Sequence, residues 1–522
     1  MKVNDLRSAL EYLKTIPGQL VETDVEADPH AEISGVYRYV GAGGTVMRPT
    51  RRNGPAMVFN KVKGHPDARV AIGLLASRER VGYLLGEKPE RLAFKLMDAV
   101  SNPIPPVVIP NEKAVCQEVV HLASDPDFDV RKLVPAPTNT EEDAGPYITM
   151  GLCYGTDPET GEKDVTIHRL CLQGKDTISM YFVPGGRHLD IFREKYEKLG
   201  RPMPISISIG VDPAICIASC FESPTTPLGY NELDCAGGLR GEPVELTKCK
   251  TIDELCIANS EYVLECELIP GEYIREDINT NTGYAMPEFP GYIGAALPKV
   301  PVLKVKAVTT RTNPIMQTVI GPSEEHVNMA GLPTEASILL MEKRALNEFV
   351  QNVYCAPFGG GKYAAVIQVK KVAPIDEGKQ RQAALLAFAA FRELKHVFLV
   401  DEDVDLFDTN DVIWAMTTRF QADVDVIPIP GVRLHPLEPS SDPDYDPSCR
   451  HHGCACKCIF DCTVPFDLKA RFKRCKFMEV DPAQWVPGLF PDRAWARSCA
   501  RRQGRGAFKC VRAPSPAART GP

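Results

Sequence analysis

The spacing of apolar positions changes twice along this chain. Residues 5–15 carry Leu6, Leu10 and Leu13 at helical intervals, which predicts an opening amphipathic helix. Residues 37–110 mix short strands and turns with one helix near 88–101, closed by the rigid break Pro103-Ile104-Pro105-Pro106. From 147 to 270 short apolar runs take over, at 147–153, 165–173, 205–209, 214–218 and 263–269. Turn chemistry such as Asp157-Pro158-Glu159-Thr160-Gly161 separates them. That pattern predicts a mainly antiparallel sheet or a barrel. After about residue 300, strands at 302–309, 363–369 and 397–400 alternate with helices at 334–350, 379–395 and 408–419, as in an open α/β sheet. Residues 435–447 are rich in Pro and Asp and read as a linker.

Composition narrows this picture. A chain of 522 residues has room for two to four domains at roughly 150 residues each. A net charge of −8 argues against a nucleic-acid surface. No apolar run approaches the ~18–20 residues needed to span a bilayer. The N-terminal helix has no signal-peptide core, so the expectation is a cytoplasmic protein without membrane contact. Ten of the 18 cysteines are scattered through the first 448 residues in mostly apolar contexts and read as small core residues. The other eight crowd the C-terminus. There Cys449, Cys454, Cys456, Cys458 and Cys462 lack the paired C-x2-C spacing of a zinc ribbon. From Phe490 onward seven Arg, one Lys and one acid stand among Ala, Pro and Gly, which predicts a disordered basic tail.

The candidate chemistry lies in a few strings. Asp164-Val165-Thr166-Ile167-His168-Arg169 is followed by Gly185-Gly186-Arg187-His188 and by Asn231-Glu232. Two carboxylates and an imidazole make a plausible set for Mn²⁺ or Mg²⁺. An adjacent Arg suits a carboxylate held by two parallel hydrogen bonds. Metal plus Arg points to a phosphorylated cofactor beside a carboxylic acid; the bland alternative is a set of solvated loop residues. In Ala285-Met286-Pro287-Glu288-Phe289-Pro290-Gly291-Tyr292, apolar neighbours would raise the pKa of Glu288 toward that of a working proton donor, unless it is an ordinary surface Glu. His326 either caps a helix, packs, or touches substrate. Phe358-Gly359-Gly360-Gly361-Lys362 is a flexible turn or an anion cradle without P-loop spacing. The acids of 401–408 read as a strand end entering a helix N-cap rather than a calcium loop.

Together and in this order, these segments resemble the UbiD family of reversible, prenylated-flavin-dependent decarboxylases, from about residue 1 to about 489. The telling stretches are Asp164–Arg169, Pro184–His188, Asn231-Glu232, the Pro287–Tyr292 loop and Asp411–Arg419. Within the family, strings such as Ser34-Gly35-Val36-Tyr37-Arg38-Tyr39 and Gly321-Pro322-Ser323-Glu324-Glu325-His326-Val327 resemble the catalytic subunit of the gallate decarboxylase type.

The resemblance implies a split-barrel flavin domain joined to an α/β oligomerisation domain. The expected division is 1–110 N-terminal, 111–300 prenylated-FMN and metal domain, 301–433 α/β domain, 434–489 a segment returning to the cofactor, and 490–522 the tail. It implies prenylated FMN held through Mn²⁺, often with K⁺ nearby. The metal set falls on Asp164, His188 and Glu232, where Asp164 replaces the family's commonest Asn. Other cofactor contacts fall on Ile167, His168, Arg169 and Lys457. Arg169 would hold the substrate carboxylate and Glu288 would relay the proton. A second Glu, usually five residues before the relay Glu, is Gly283 here; Glu276 or Asp277 would substitute. His326 and Lys362 are the candidates for phenolic contacts.

The implied reaction is non-oxidative decarboxylation of gallate to pyrogallol through a covalent substrate–flavin adduct. The alternatives are protocatechuate or 4-hydroxybenzoate as substrate, or a non-catalytic subunit of a carboxylase complex. A flavin prenyltransferase as cofactor supplier, a small accessory subunit and a homo-oligomer of two to six copies are the implied partners.

Overall fold

The computed structural model describes residues 2–44, 54–183, 188–447, 449–478, 480 and 485–486. The expected basic tail, and residues 184–187 of the Pro184–His188 string, lie outside the described residues. Contacts divide the chain into Met1–Phe466 and Asp467–Pro522. The second unit begins within the 3₁₀ helix Phe466–Phe472.

The centre of the first unit is a closed barrel of six antiparallel strands. They run in the order Tyr262–Ile274, Met203–Ile209, Tyr147–Thr156, Lys163–Leu172, Thr177–Met180 and Val300–Thr310, with the last pairing back to the first. Closure removes the open edges that such a sheet would otherwise present. Alternating Ile205, Ile207 and Ile209 with Leu303 and Val305 supply apolar side chains to its core. The expected domain boundary at 300 falls on the first residue of the closing strand. Ile315–Thr318 then returns to a four-stranded N-terminal sheet with Leu20–Thr23, Ala56–Phe59 and Arg69–Ile72.

The α/β part is a five-stranded mixed sheet ordered Val350–Cys355, Ala364–Val369, His396–Asp401, Cys454–Asp461 and Val426–Arg433. The helix Glu324–Leu346 packs against it and against Leu92–Ser101. Among the described residues no helix is long and apolar enough to cross a membrane.

Three expected elements come out differently. Residues 214–218 read as a strand but form the helix Pro213–Ala218. Asp212 accepts a hydrogen bond from the Ala214 amide at 2.7 Å and Pro213 fills the first helical position, so capping outweighs the β preference of Ile215 and Ile217. The helix expected at 334–350 spans Glu324–Leu346: it starts ten residues upstream of the expected start, where the Ser323 side chain caps it, and Asn347, at φ +53°, ends it. The helix expected at 379–395 stops at Ala390. The acidic run behaves as expected, with Asp408 capping Thr409–Arg419 and accepting from the Asn410 amide at 2.9 Å.

Helix Glu324–Leu346 carries a buried carboxyl with a measurable consequence. Glu342 is 1 % exposed, and neither of its oxygens has a hydrogen-bond partner among the described residues. Burial pushes its pKa up to about 8. The folded state therefore keeps a proton that the unfolded chain releases above its ordinary value of 4.5. Stability is lost as pH rises from that value through about 8, by a few kcal/mol at ~1.4 kcal/mol per unit. Glu342→Gln is expected to lose this slope. Its melting temperature should gain on the parent's between pH 6 and pH 9; parallel melting curves across that range would show that Glu342 is not a buried neutral acid.

Candidate active site

Arg169, on barrel strand Lys163–Leu172, is the hub of a buried charge network. Its Nη1 donates to Oε1 of Glu288. Its Nη2 donates to Oε2 of Glu276 at 2.9 Å, and its Nε lies 2.9 Å from the other oxygen. The Tyr181 ring lies 4.4 Å from the guanidinium carbon. Glu276 is further fixed by the Tyr147 hydroxyl at 3.0 Å and the Leu297 amide at 3.1 Å. Asp277, the neighbour that could have filled this place, is turned away. It accepts from the Gly283 amide at 2.9 Å and pairs with Arg275 at 2.9 Å.

Glu288 sits at the start of the turn joining Tyr284–Pro287 to Ile293–Ala295. Its amide donates to the Tyr292 carbonyl at 2.8 Å, and the Gly291 amide returns to the Glu288 carbonyl at 3.0 Å. Gly291, at φ +101°, is the position in this turn that requires a glycine. Burial raises the Glu288 pKa while Arg169 opposes that rise; the net shift is upward.

The metal set comes together. One ligand atom each from Asp164, His188 and Glu232 lie within 4.8 Å of one another, with His188 Nδ1 3.4 Å from Asp164 Oδ1. Asp164 is the second residue of its strand, and His188 is the first residue of helix His188–Lys198. Glu232 opens helix Glu232–Arg240, which Asn231 caps by accepting from the Leu233 amide at 3.1 Å. Burial, and then the facing Asp164 charge, push Glu232 well above the usual carboxylate range. Asp164 Oδ2 is buried without a hydrogen-bond partner among the described residues. These ligands border a cavity of about 20 Å³. Two crowded carboxylates, an imidazole and an orphaned oxygen around an ion-sized space fit a divalent cation.

A larger cavity of about 180 Å³ adjoins it, with Glu222 lining both. Ile167, His168, Arg169 and Glu288 border it, so the expected cofactor and catalytic positions share one wall. His168 Nδ1 lies 3.0 Å from the Tyr181 carbonyl. His326 and Lys362 also reach this cavity. The backbone of His326 belongs to the capped first turn of its helix, while its ring stacks on Phe289 at 5.2 Å. Lys362 Nζ donates to Glu393 at 2.7 Å and to Glu222 at 3.0 Å.

Lys457 is not brought to either cavity. Its Nζ donates to the carbonyls of Arg392 and Leu394, both at 2.6 Å, and burial lowers its pKa to about 8. Strand alternation is the cause. On Cys454–Asp461 the odd positions are buried, so Lys457 points into the sheet's covered face, while Cys454, Cys456 and Cys458 share the opposite one. The expected phosphate contact is therefore corrected, since this lysine's donors serve main-chain carbonyls. The C-terminal segment reaches the cavity through His435 and Leu437 instead, in the stretch that read as a linker. Glu222, Phe289, Glu393 and His435 were not singled out in the sequence; the only signal was the adjacency of Phe289 to Glu288.

Comparison with known proteins places this geometry. Residues 13–100, 107–324 and 327–462 match the N-terminal, Rift-related and C-terminal domains described for 3-octaprenyl-4-hydroxybenzoate carboxy-lyase. The chain belongs to the UbiD family of decarboxylases. It is 57% identical to gallate decarboxylase of Lactiplantibacillus plantarum over 482 residues, covering 92% of this chain and 98% of that one. The apo structure of a 3,4-dihydroxybenzoic acid decarboxylase from Enterobacter cloacae superposes with a TM-score of 0.89 at 56% identity, covering 94% of this chain and 100% of the other. An evolved dimeric form of the UbiD-class enzyme HmfF from Pelotomaculum thermopropionicum, in complex with prFMN, superposes at 0.78 with 32% identity, over 92% and 100% of the two chains.

Proposed function

We propose that this protein is a prenylated-FMN-dependent decarboxylase of hydroxylated benzoic acids, with gallate as the leading substrate and protocatechuate next. The observation that carries the reading is the contact of Arg169 with both Glu276 and Glu288 at the wall of a cavity that adjoins the Asp164–His188–Glu232 cluster. The 57% identity to a gallate decarboxylase and the likeness to dihydroxybenzoate decarboxylases support the substrate class.

Asp164, His188 and Glu232 would hold Mn²⁺, and the cation would carry the cofactor's phosphate; K⁺ belongs to the same proposal. Bound in the larger cavity, the prenylated flavin would supply the electron sink for an aryl carbanion, which no side chain offers. The protein's own groups do the rest. Arg169 orients the substrate carboxylate through its fork of donors. Burial raises the pKa of Glu288, which favours its role as the acid that delivers a proton to the carbon that CO₂ vacates. Glu276, locked by Tyr147 and Leu297, fixes the guanidinium plane. His326 and Lys362 meet the ring hydroxyls. A separate flavin prenyltransferase, a small accessory subunit and a homo-oligomer built through the α/β part complete the proposal. The presence of both Arg169 and Glu288, already in contact, favours an enzyme over a non-catalytic subunit.

The test is to co-express the protein with a flavin prenyltransferase and incubate it with gallate, protocatechuate, 4-hydroxybenzoate and cinnamate. Release of pyrogallol or catechol is the expected result. Turnover of cinnamate alone, or of no hydroxybenzoate, would overturn the substrate assignment.

A further inference from the structure

The Phe358-Gly359-Gly360-Gly361-Lys362 turn and the ring of Phe289 meet at a wall between two cavities. Glu288, Lys362 and Leu437 face the inner one, of about 180 Å³. Pro290, Tyr363 and Glu438 face an outer one, of about 360 Å³. Three segments thus step through the wall from one residue to the next, and Phe289 lines both sides.

Phe289 is 6% exposed; its ring is stacked on His326 at 5.2 Å, tilted against Tyr363 at 5.0 Å and edge-on to His435 at 5.3 Å, with the Lys362 ammonium 5.9 Å from its centre. Behind it lies Gly360, at φ +62°, where a Cβ would come within 2.8 Å of the ring. The glycine turn is therefore a close-approach seat for this side chain. Rotating the ring breaks small dispersion contacts and one cation–π contact to Lys362, and no hydrogen bond. The outer chamber is rimmed by exposed aromatic side chains, Tyr292, Phe358 and Tyr445. Their faces suit an aromatic ring. Glu438 there is paired with Lys395 at 3.1 Å, so the chamber does not meet an arriving carboxylate with a bare charge.

We propose that the outer chamber is the entry site for a monocyclic aromatic acid and that Phe289 is the gate between it and the reaction cavity. The identity of the ligand rests on the decarboxylase reading above; the gate does not. Cys220 lines the inner cavity and Cys456 is exposed, so alkylation reports passage without any substrate.

The experiment treats holoenzyme of the parent, Phe289→Ala and Phe289→Leu with iodoacetamide and follows Cys220 and Cys456 by peptide mass spectrometry. In Phe289→Ala, Cys220 should react about tenfold faster or more, with Phe289→Leu between it and the parent and Cys456 unchanged. In parallel, stopped-flow mixing with 3,4-dihydroxybenzoate should show association and dissociation accelerated together, with their ratio kept within about threefold, because a passage alters rates and not the equilibrium. An unchanged Cys220 rate, or a weakened Kd with an unchanged association rate, would overturn the gate. If no hydroxybenzoate binds the parent while Cys220 behaves as expected, the ligand class falls and the gate stands.

Discussion

Glu288→Gln holoenzyme is expected to lose about 10²- to 10⁴-fold of its turnover while keeping its flavin absorbance. Burial raises the Glu288 pKa, and Arg169 holds the side chain in place without cancelling that rise. The amide preserves the shape and can still accept from Nη1, so the Arg169–Glu276 pair and the cavity wall should survive. What it lacks is a transferable proton. Turnover near the parental level would remove Glu288 from the mechanism. A collapse of flavin content would instead mean that the substitution disturbed the cavity.

His188→Ala and Glu232→Ala should each release the cofactor. Asp164 Oδ2 has no hydrogen-bond partner among the described residues, and Glu232 is strained upward by burial and by Asp164. Without a cation, a phosphate arriving here would add negative charge to two buried carboxylates, and unpaired buried charge is costly. Removing one of three ligands weakens the hold on the cation, and cofactor retention should fall with it. The check is flavin absorbance and metal content after chelation and gel filtration. A full flavin spectrum in the metal-free variant would refute the bridging role.

Much of the metal set could be read from short strings because Asp164, His188 and Glu232 sit at the starts of regular elements. Asp164 and Arg169 share one strand, and His188 and Glu232 each open a helix, so local sequence carries both identity and position. Glu276 was ambiguous with Asp277 because adjacent residues in an irregular loop look alike; Tyr147 and Leu297, distant in the chain, make the choice. Lys457 was misplaced because resemblance supplied a role while strand parity decided the direction of the side chain. His435 was hidden in a Pro/Asp-rich stretch that looks like a linker by composition, yet packs against Phe289. The helix Pro213–Ala218 was missed because a single cap and a proline overrode β-branched residues. The barrel itself was visible in its short alternating runs, but its closure by Val300–Thr310 depends on long-range pairing that periodicity does not encode.

The most direct test of the central claim is a single reaction in D₂O. Prenylated-FMN holoenzyme is supplied with gallate, and the product is analysed by mass and NMR alongside CO₂ release and oxygen uptake. The account predicts pyrogallol bearing deuterium at the carbon that lost CO₂, released in step with CO₂ and with no oxygen consumed. Oxygen uptake, a hydroxylated product, or pyrogallol without deuterium at that carbon would contradict it.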